Sequence, residues 1–193
     1  LPSLLRRERR FRTYVYSQVL LQIGFVSTSF VTGYVVLGLG ESEGTVALCT
    51  AAFMGANAFG SLIFGFLGDS RGYRIVFVVG AVFGVLGYGL LIPGPEMEVV
   101  FVVFGLLGLF RSSMAVGSNM SIEFSHPRRA ATYTAVVFTA TAPLKILYPL
   151  IAGLLADSAG FALVFGLAAG TVALVCVILM FRFSAPRFAR SEA

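Results

Sequence analysis

The chain has 193 residues, of which 58% are hydrophobic and 12% charged, with a mean hydropathy of +0.91. A soluble globular domain carries roughly 25% charged residues, so this composition excludes one and calls for a lipid bilayer as solvent. The net charge of +5 does not point to nucleic acid, because the basic residues cluster in short segments between apolar runs, where headgroups are met.

Residues 1–12 form a basic lead-in with Arg6, Arg7, Arg9, Arg10 and Arg12, expected to lie as an amphipathic segment on the cytoplasmic surface. The chain opens on Leu-Pro-Ser with no methionine and no signal peptide, as expected of a piece cut from a longer protein. A first repeat of three helices follows over residues 13–92. Helix 1 is predicted from about Tyr14 to Gly38, long enough to cross about 30 Å of hydrocarbon. An acidic turn holds Glu41 and Glu43, and helix 2 runs from about Thr45 to Leu67. A charged turn spans Asp69 to Arg74, and helix 3 runs from Ile75 to Ile92.

The break Pro93-Gly-Pro-Glu opens a second repeat over residues 93–183. Helix 4 is predicted from about Glu98 to Ile122, followed by a loop with His126, Pro127, Arg128 and Arg129. Helix 5 takes Ala131 to Ala156, a turn surrounds Asp157, and helix 6 runs from Gly160 to Phe183. Residues 184–193 form a tail. Twelve of the fourteen Lys and Arg residues fall in the lead-in, the second and fourth loops and the tail together with Arg182 just before it, and none in the other loops. By the positive-inside rule both termini are cytoplasmic. The expected class is an all-α membrane protein of six transmembrane helices, multi-pass in a bacterial inner membrane or a plasma membrane. Cys49 and Cys176 lie inside apolar runs without partner spacing and read as packing residues.

The segment Gly65–Arg74 has an echo 88 residues on. Residues 65–77 and 153–165 agree at seven of thirteen positions: Gly65/Gly153, Leu67/Leu155, Asp69/Asp157, Ser70/Ser158, Gly72/Gly160, Val76/Val164 and Phe77/Phe165. Arg71 and Arg74 become Ala159 and Ala162. Three crossings separate the copies, so loss of the arginines from the outer one fits an inverted 3+3 repeat.

Polar residues are shared unequally among the helices. Helix 3 has Tyr88 and helix 6 has Thr171 and Cys176, which makes both look peripheral or lipid-facing. Helix 1 aligns Gln18, Gln22, Ser29 and Thr32; helix 2 has Asn57; helix 4 has Arg111, Ser118 and Asn119; helix 5 aligns Thr134, Thr141, Lys145 and Tyr148. Helices 1, 2, 4 and 5 thus present a polar path with helices 3 and 6 as supports.

Together these patterns resemble one half of a major facilitator superfamily transporter. The family's loop signature is Gly, three residues, Asp, a basic residue, any residue, Gly and two basic residues. It is matched here by Gly65, Asp69, Gly72 and Arg74, with Arg71 one place late and Ser70 and Tyr73 in place of basic residues. The resemblance implies secondary active transport of a small solute by alternating access, and a complementary six-helix half as partner. It also implies H+ or Na+ as coupling ion and a cytoplasmic gate built from Gly65, Asp69, Arg71, Gly72 and Arg74. The basic lead-in favours the C-terminal half; in the N-terminal half, Arg111 would resemble the helix-4 arginine of proton-coupled members, with Ala115 replacing the expected glycine. No cofactor is implied.

Arg111 and Lys145 lie about 16 Å and 15 Å from their helix ends at 1.5 Å per residue. A charge at such depth costs at least about 2.5–3.5 kcal/mol and needs a cavity or a partner. A buried ion pair with an acid of the missing half is the structural alternative. Two cations without an acid at their depth favour an anionic or hydrogen-bond-accepting substrate on a pathway of Gln18, Gln22, Asn57, Arg111, Asn119, Thr141, Lys145 and Tyr148. An intramembrane enzyme would need a paired nucleophile and base, and His126 stands alone in a loop. A six-helix scaffold or a small self-associating permease is the remaining alternative.

Overall fold

The computed structural model describes residues 9–117 and 130–182, which form α1 (Arg9–Gly33), α2 (Glu43–Arg71), α3 (Tyr73–Leu91), α4 (Met97–Gly117), α5 (Ala130–Ala159) and α6 (Phe161–Arg182). Six helices are long and apolar enough to cross a membrane, and the chain is an integral multi-pass membrane protein. Asn119, His126 and the basic residues Arg128, Arg129, Arg187 and Arg190 lie outside the described residues.

The helices follow the predicted spans, with informative differences at their ends. Arg9 to Arg12 already belong to α1. Phe11 is fully buried, with its ring 4.6 Å from that of Tyr133 on α5. At its far end α1 widens into one π-helical turn, Tyr34–Gly38. The charged turn from Asp69 to Arg74 shrinks to Gly72 alone: α2 continues through Arg71 and α3 begins at Tyr73. Gly72 has φ +91° and ψ 152°, a region open essentially to glycine only. The expected turn at Asp157 is likewise helical, and the break falls on Gly160 with φ +83°.

The two breaks are built alike. Gly72 N–H donates to the Gly68 carbonyl at 3.0 Å, and Gly160 N–H to that of Ala156 at 3.0 Å. Ser70 Oγ donates to the Phe66 carbonyl at 2.8 Å, and Ser158 Oγ to that of Leu154 at 2.7 Å. Every partner is again 88 residues apart.

The principal helix contacts are α2 with α4, α3 with α4, α3 with α6, α1 with α6, α1 with α5, and the short-linked pairs α2 with α3 and α5 with α6. Exchanging α1, α2 and α3 for α4, α5 and α6 maps this set onto itself. Close approach of α2 and α4 depends on Gly108, where a Cβ would press on the Phe53 carbonyl and lie 2.9 Å from Ala56 Cβ.

α3 and α6 are more central than their composition suggests. Tyr88 is fully buried between Phe110 and Phe165, and its hydroxyl donates to the Gly24 carbonyl and pairs with Thr28 Oγ1. Each helix turns one face to this core and another, with Leu86 and Leu90 or Leu174 and Phe181, outward. α2 and α5 are the least covered, exposing Leu62, Phe66, Ile146 and Leu154.

Candidate functional site

The polar residues of α1, α2, α4 and α5 meet on one side of the bundle, in a groove of about 430 Å³. Helical spacing puts Tyr14, Gln18, Gln22 and Phe25 on successive turns of α1. α2 contributes Asn57 and Ser61, α4 contributes Arg111, and α5 contributes Thr134, Thr141 and Lys145. Of the predicted pathway residues, Gln18, Gln22, Asn57, Arg111, Thr141 and Lys145 therefore share one groove.

Tyr148 does not line that groove. It is buried beside Ala152 and Val164, and its hydroxyl pairs with Ser27 Oγ of α1 at 2.8 Å. Its spacing placed it with Thr141 and Lys145, but a phenol satisfies burial with its ring and needs one partner for its tip. Tyr148 thus ties α5 to α1.

Both cations lean on aromatic rings. Arg111 Cζ is 4.7 Å from the centroid of Phe25, and Lys145 Nζ is 5.5 Å from that of Phe138. Such contacts are worth about 0.5–1 kcal/mol at exposed sites and hold the charges in the groove without neutralising them. Phe25 and Phe138 were not foreseen as pathway residues, since aromatic residues in an apolar helix carry no pattern that separates them from packing.

The remaining groups are partly committed. Gln18 Nε2 donates to Tyr14 Oη at 3.1 Å, and Thr141 Oγ1 to the Phe138 carbonyl at 3.1 Å. Gln22 Oε1 is buried with no hydrogen-bond partner among the described residues. An unsatisfied buried acceptor costs about 1–3 kcal/mol, which water or a solute reaching the amide would relieve. No acidic residue is among those lining the groove. No cluster of metal-ligating residues occurs among the described residues.

At the end of the bundle marked by Gly72, the motif residues form a local cluster. Tyr73 Oη donates to Asp69 Oδ1 at 3.3 Å. Arg74 reaches across to α6, donating from Nε to the Leu179 carbonyl at 3.1 Å and from Nη2 to that of Met180 at 2.5 Å. Arg71 lies in the last turn of α2, where a cation complements the helix dipole. Gly65 lies on α2, and a Cβ there would meet nothing within 4 Å.

Residues 14–193 match the family model described as Major Facilitator Superfamily. Two similar solved structures are of the peptide transporter POT, both of a mutant. One is in complex with alafosfalin, with 20% identity and a TM-score of 0.74. The other is in complex with sulfate, with 21% identity and a TM-score of 0.76. In each case the likeness covers 88% of this chain and 37% of the other, so this chain spans little more than a third of their length. No curated protein sequence matches it.

Proposed function

We propose that this chain, which belongs to the Major Facilitator Superfamily, works as one six-helix half of a secondary transporter. It moves a small anionic solute by alternating access, with the polar side of α1, α2, α4 and α5 as one wall of the path. The observation that carries this reading is the presence of Arg111 and Lys145 in one groove without an acidic residue among the residues lining it. A charge held at membrane depth is costly, and among the described residues the two cations rest on aromatic faces, which offset only part of that cost. An oxyanion entering from water supplies the missing charge at no cost to folding. H+ or Na+ is the coupling ion in this reading, and the exposed apolar faces of α2 and α5 meet the complementary half. A transporter, not an enzyme, is what the family points to.

Counterflow of a panel of organic oxyanions in proteoliposomes of the full-length protein tests the reading. Arg111→Gln and Lys145→Met should each raise the half-saturating concentration of the transported anion about ten- to hundredfold, the worth of a charge-assisted hydrogen bond. Normal half-saturation in both variants, at normal expression, would remove the pair from the path. Loss of folded protein that is rescued by neutralising an acid in the complementary half would reassign the pair to a structural ion bridge.

A further inference from the structure

Arg111 and Lys145 also line a second groove, of about 480 Å³, which continues from the first toward the end of the bundle marked by Pro95. Apart from the two cations its polar lining is hydroxyl only, Thr28, Ser29 and Thr32 of α1 and Thr50 of α2, beside apolar side chains such as Phe53 and Met54, whereas the first groove mixes hydroxyls with the amides of Gln18, Gln22 and Asn57. No acidic residue is among its lining residues. The two cations stand at the junction, lining both.

The hydroxyls are not equivalent. A serine or threonine in an apolar helix ordinarily turns its hydroxyl back on a carbonyl of the preceding turn. Thr50 does so toward Val46 at 2.9 Å, and Thr28 is spent on Tyr88 Oη at 2.8 Å. Ser29 and Thr32 make no hydrogen bond to any described residue, although both line the groove. Each therefore presents a free donor and a free acceptor there.

Resting on the anion-transporter reading above, we infer that this groove is a subsite for the body of a hydroxylated organic oxyanion, whose charged group stays on Arg111 and Lys145. Arg111 stacks on Phe25, and at 1.5 Å per residue Ser29 and Thr32 lie about 6 Å and about 10 Å further along α1. An extended chain of five or six carbons with its charge at the cations reaches Ser29. An alkyl tail would leave both hydroxyls unpaired in the groove. An ammonium-bearing body would set a third cation beside two. A polyol body donates and accepts at every carbon, which matches hydroxyl partners, and the groove lies in the usual volume range for small-molecule sites. The first groove, on the other side of the cations, then offers the same body a mixed lining of amides and hydroxyls when access changes sides.

Gluconate, hexanoate and sorbitol separate these properties, sharing a six-carbon chain while differing in charge and hydroxylation. Calorimetric titration of the purified full-length protein should show gluconate binding at least about tenfold more tightly than either of the others. In Ser29→Ala/Thr32→Val the gluconate-to-hexanoate affinity ratio should fall about fivefold or more, since each lost hydrogen bond is worth several-fold. Equal binding of gluconate and hexanoate would overturn the hydroxyl subsite while leaving an anion transporter. An unchanged ratio in the double variant would overturn the role of Ser29 and Thr32. Sorbitol binding as tightly as gluconate would overturn the anion reading itself, and the subsite with it.

Discussion

Arg74 ends on the carbonyls of Leu179 and Met180 in α6. The contact joins the loop motif to a helix 105 residues away in the chain. Its worth is held to about 1 kcal/mol because the guanidinium is only half-buried and partly screened. Arg74→Gln should therefore lower the midpoint of thermal unfolding in detergent by a few degrees. Arg74→Lys should recover only part of it, because an ammonium on a flexible stem lacks the planar, pre-organised fork of a guanidinium. An unchanged midpoint in Arg74→Gln would show that the contact contributes nothing. Arg111 and Lys145 were legible in the sequence for the same reason that makes them expensive: few positions at membrane depth tolerate a charge. Their aromatic supports and the Tyr148–Ser27 bond were not, because helical spacing gives the side on which a residue lies, whereas the partner across the bundle depends on how helices pack.

At the scale of elements, the six spans could be read from apolar length alone, and the single-residue breaks could not. Asp69, Ser70 and Arg71 look like turn residues by polarity. The last turn of a helix, however, accepts a serine bonded back to its own backbone and an arginine that complements the dipole. What stops α2 is the backbone of Gly72, and only a left-handed φ marks it. Gly72→Ala should cost about 1–3 kcal/mol from that conformation, read as a lower unfolding midpoint. Gly170→Ala, inside α6 with open space around the added carbon, should be neutral or slightly stabilising by helix propensity. Equal effects of the two substitutions would mean that α2 and α3 can be joined without the Gly72 geometry.

For the molecule as a whole, the repeat seen as seven matching residues has a counterpart in three dimensions. The helix contacts are unchanged when the two sets of three helices are exchanged, and the breaks at Gly72 and Gly160 share their hydrogen bonds. The copies differ where charge matters. At one end Tyr73 bonds Asp69 and Arg74 bonds the Leu179 carbonyl of α6; at the other, Phe161 packs edge-on against Tyr34, whose hydroxyl donates to the Pro95 carbonyl at 3.4 Å. A polar latch at one end and an aromatic one at the other is what an inverted repeat would keep if only one end met the cytoplasm, because arginine is retained on that side. Ser70 and Ser158 are both exposed and hold equivalent places at the two breaks. Single cysteines at these positions, with the buried Cys49 and Cys176 replaced by alanine, should react with a membrane-impermeant maleimide from opposite sides. Ser70→Cys should be reached only from the cytoplasm and Ser158→Cys only from outside. Labelling of both from one side would show that an even number of crossings separates the copies, and the inverted reading of the repeat would not survive that result.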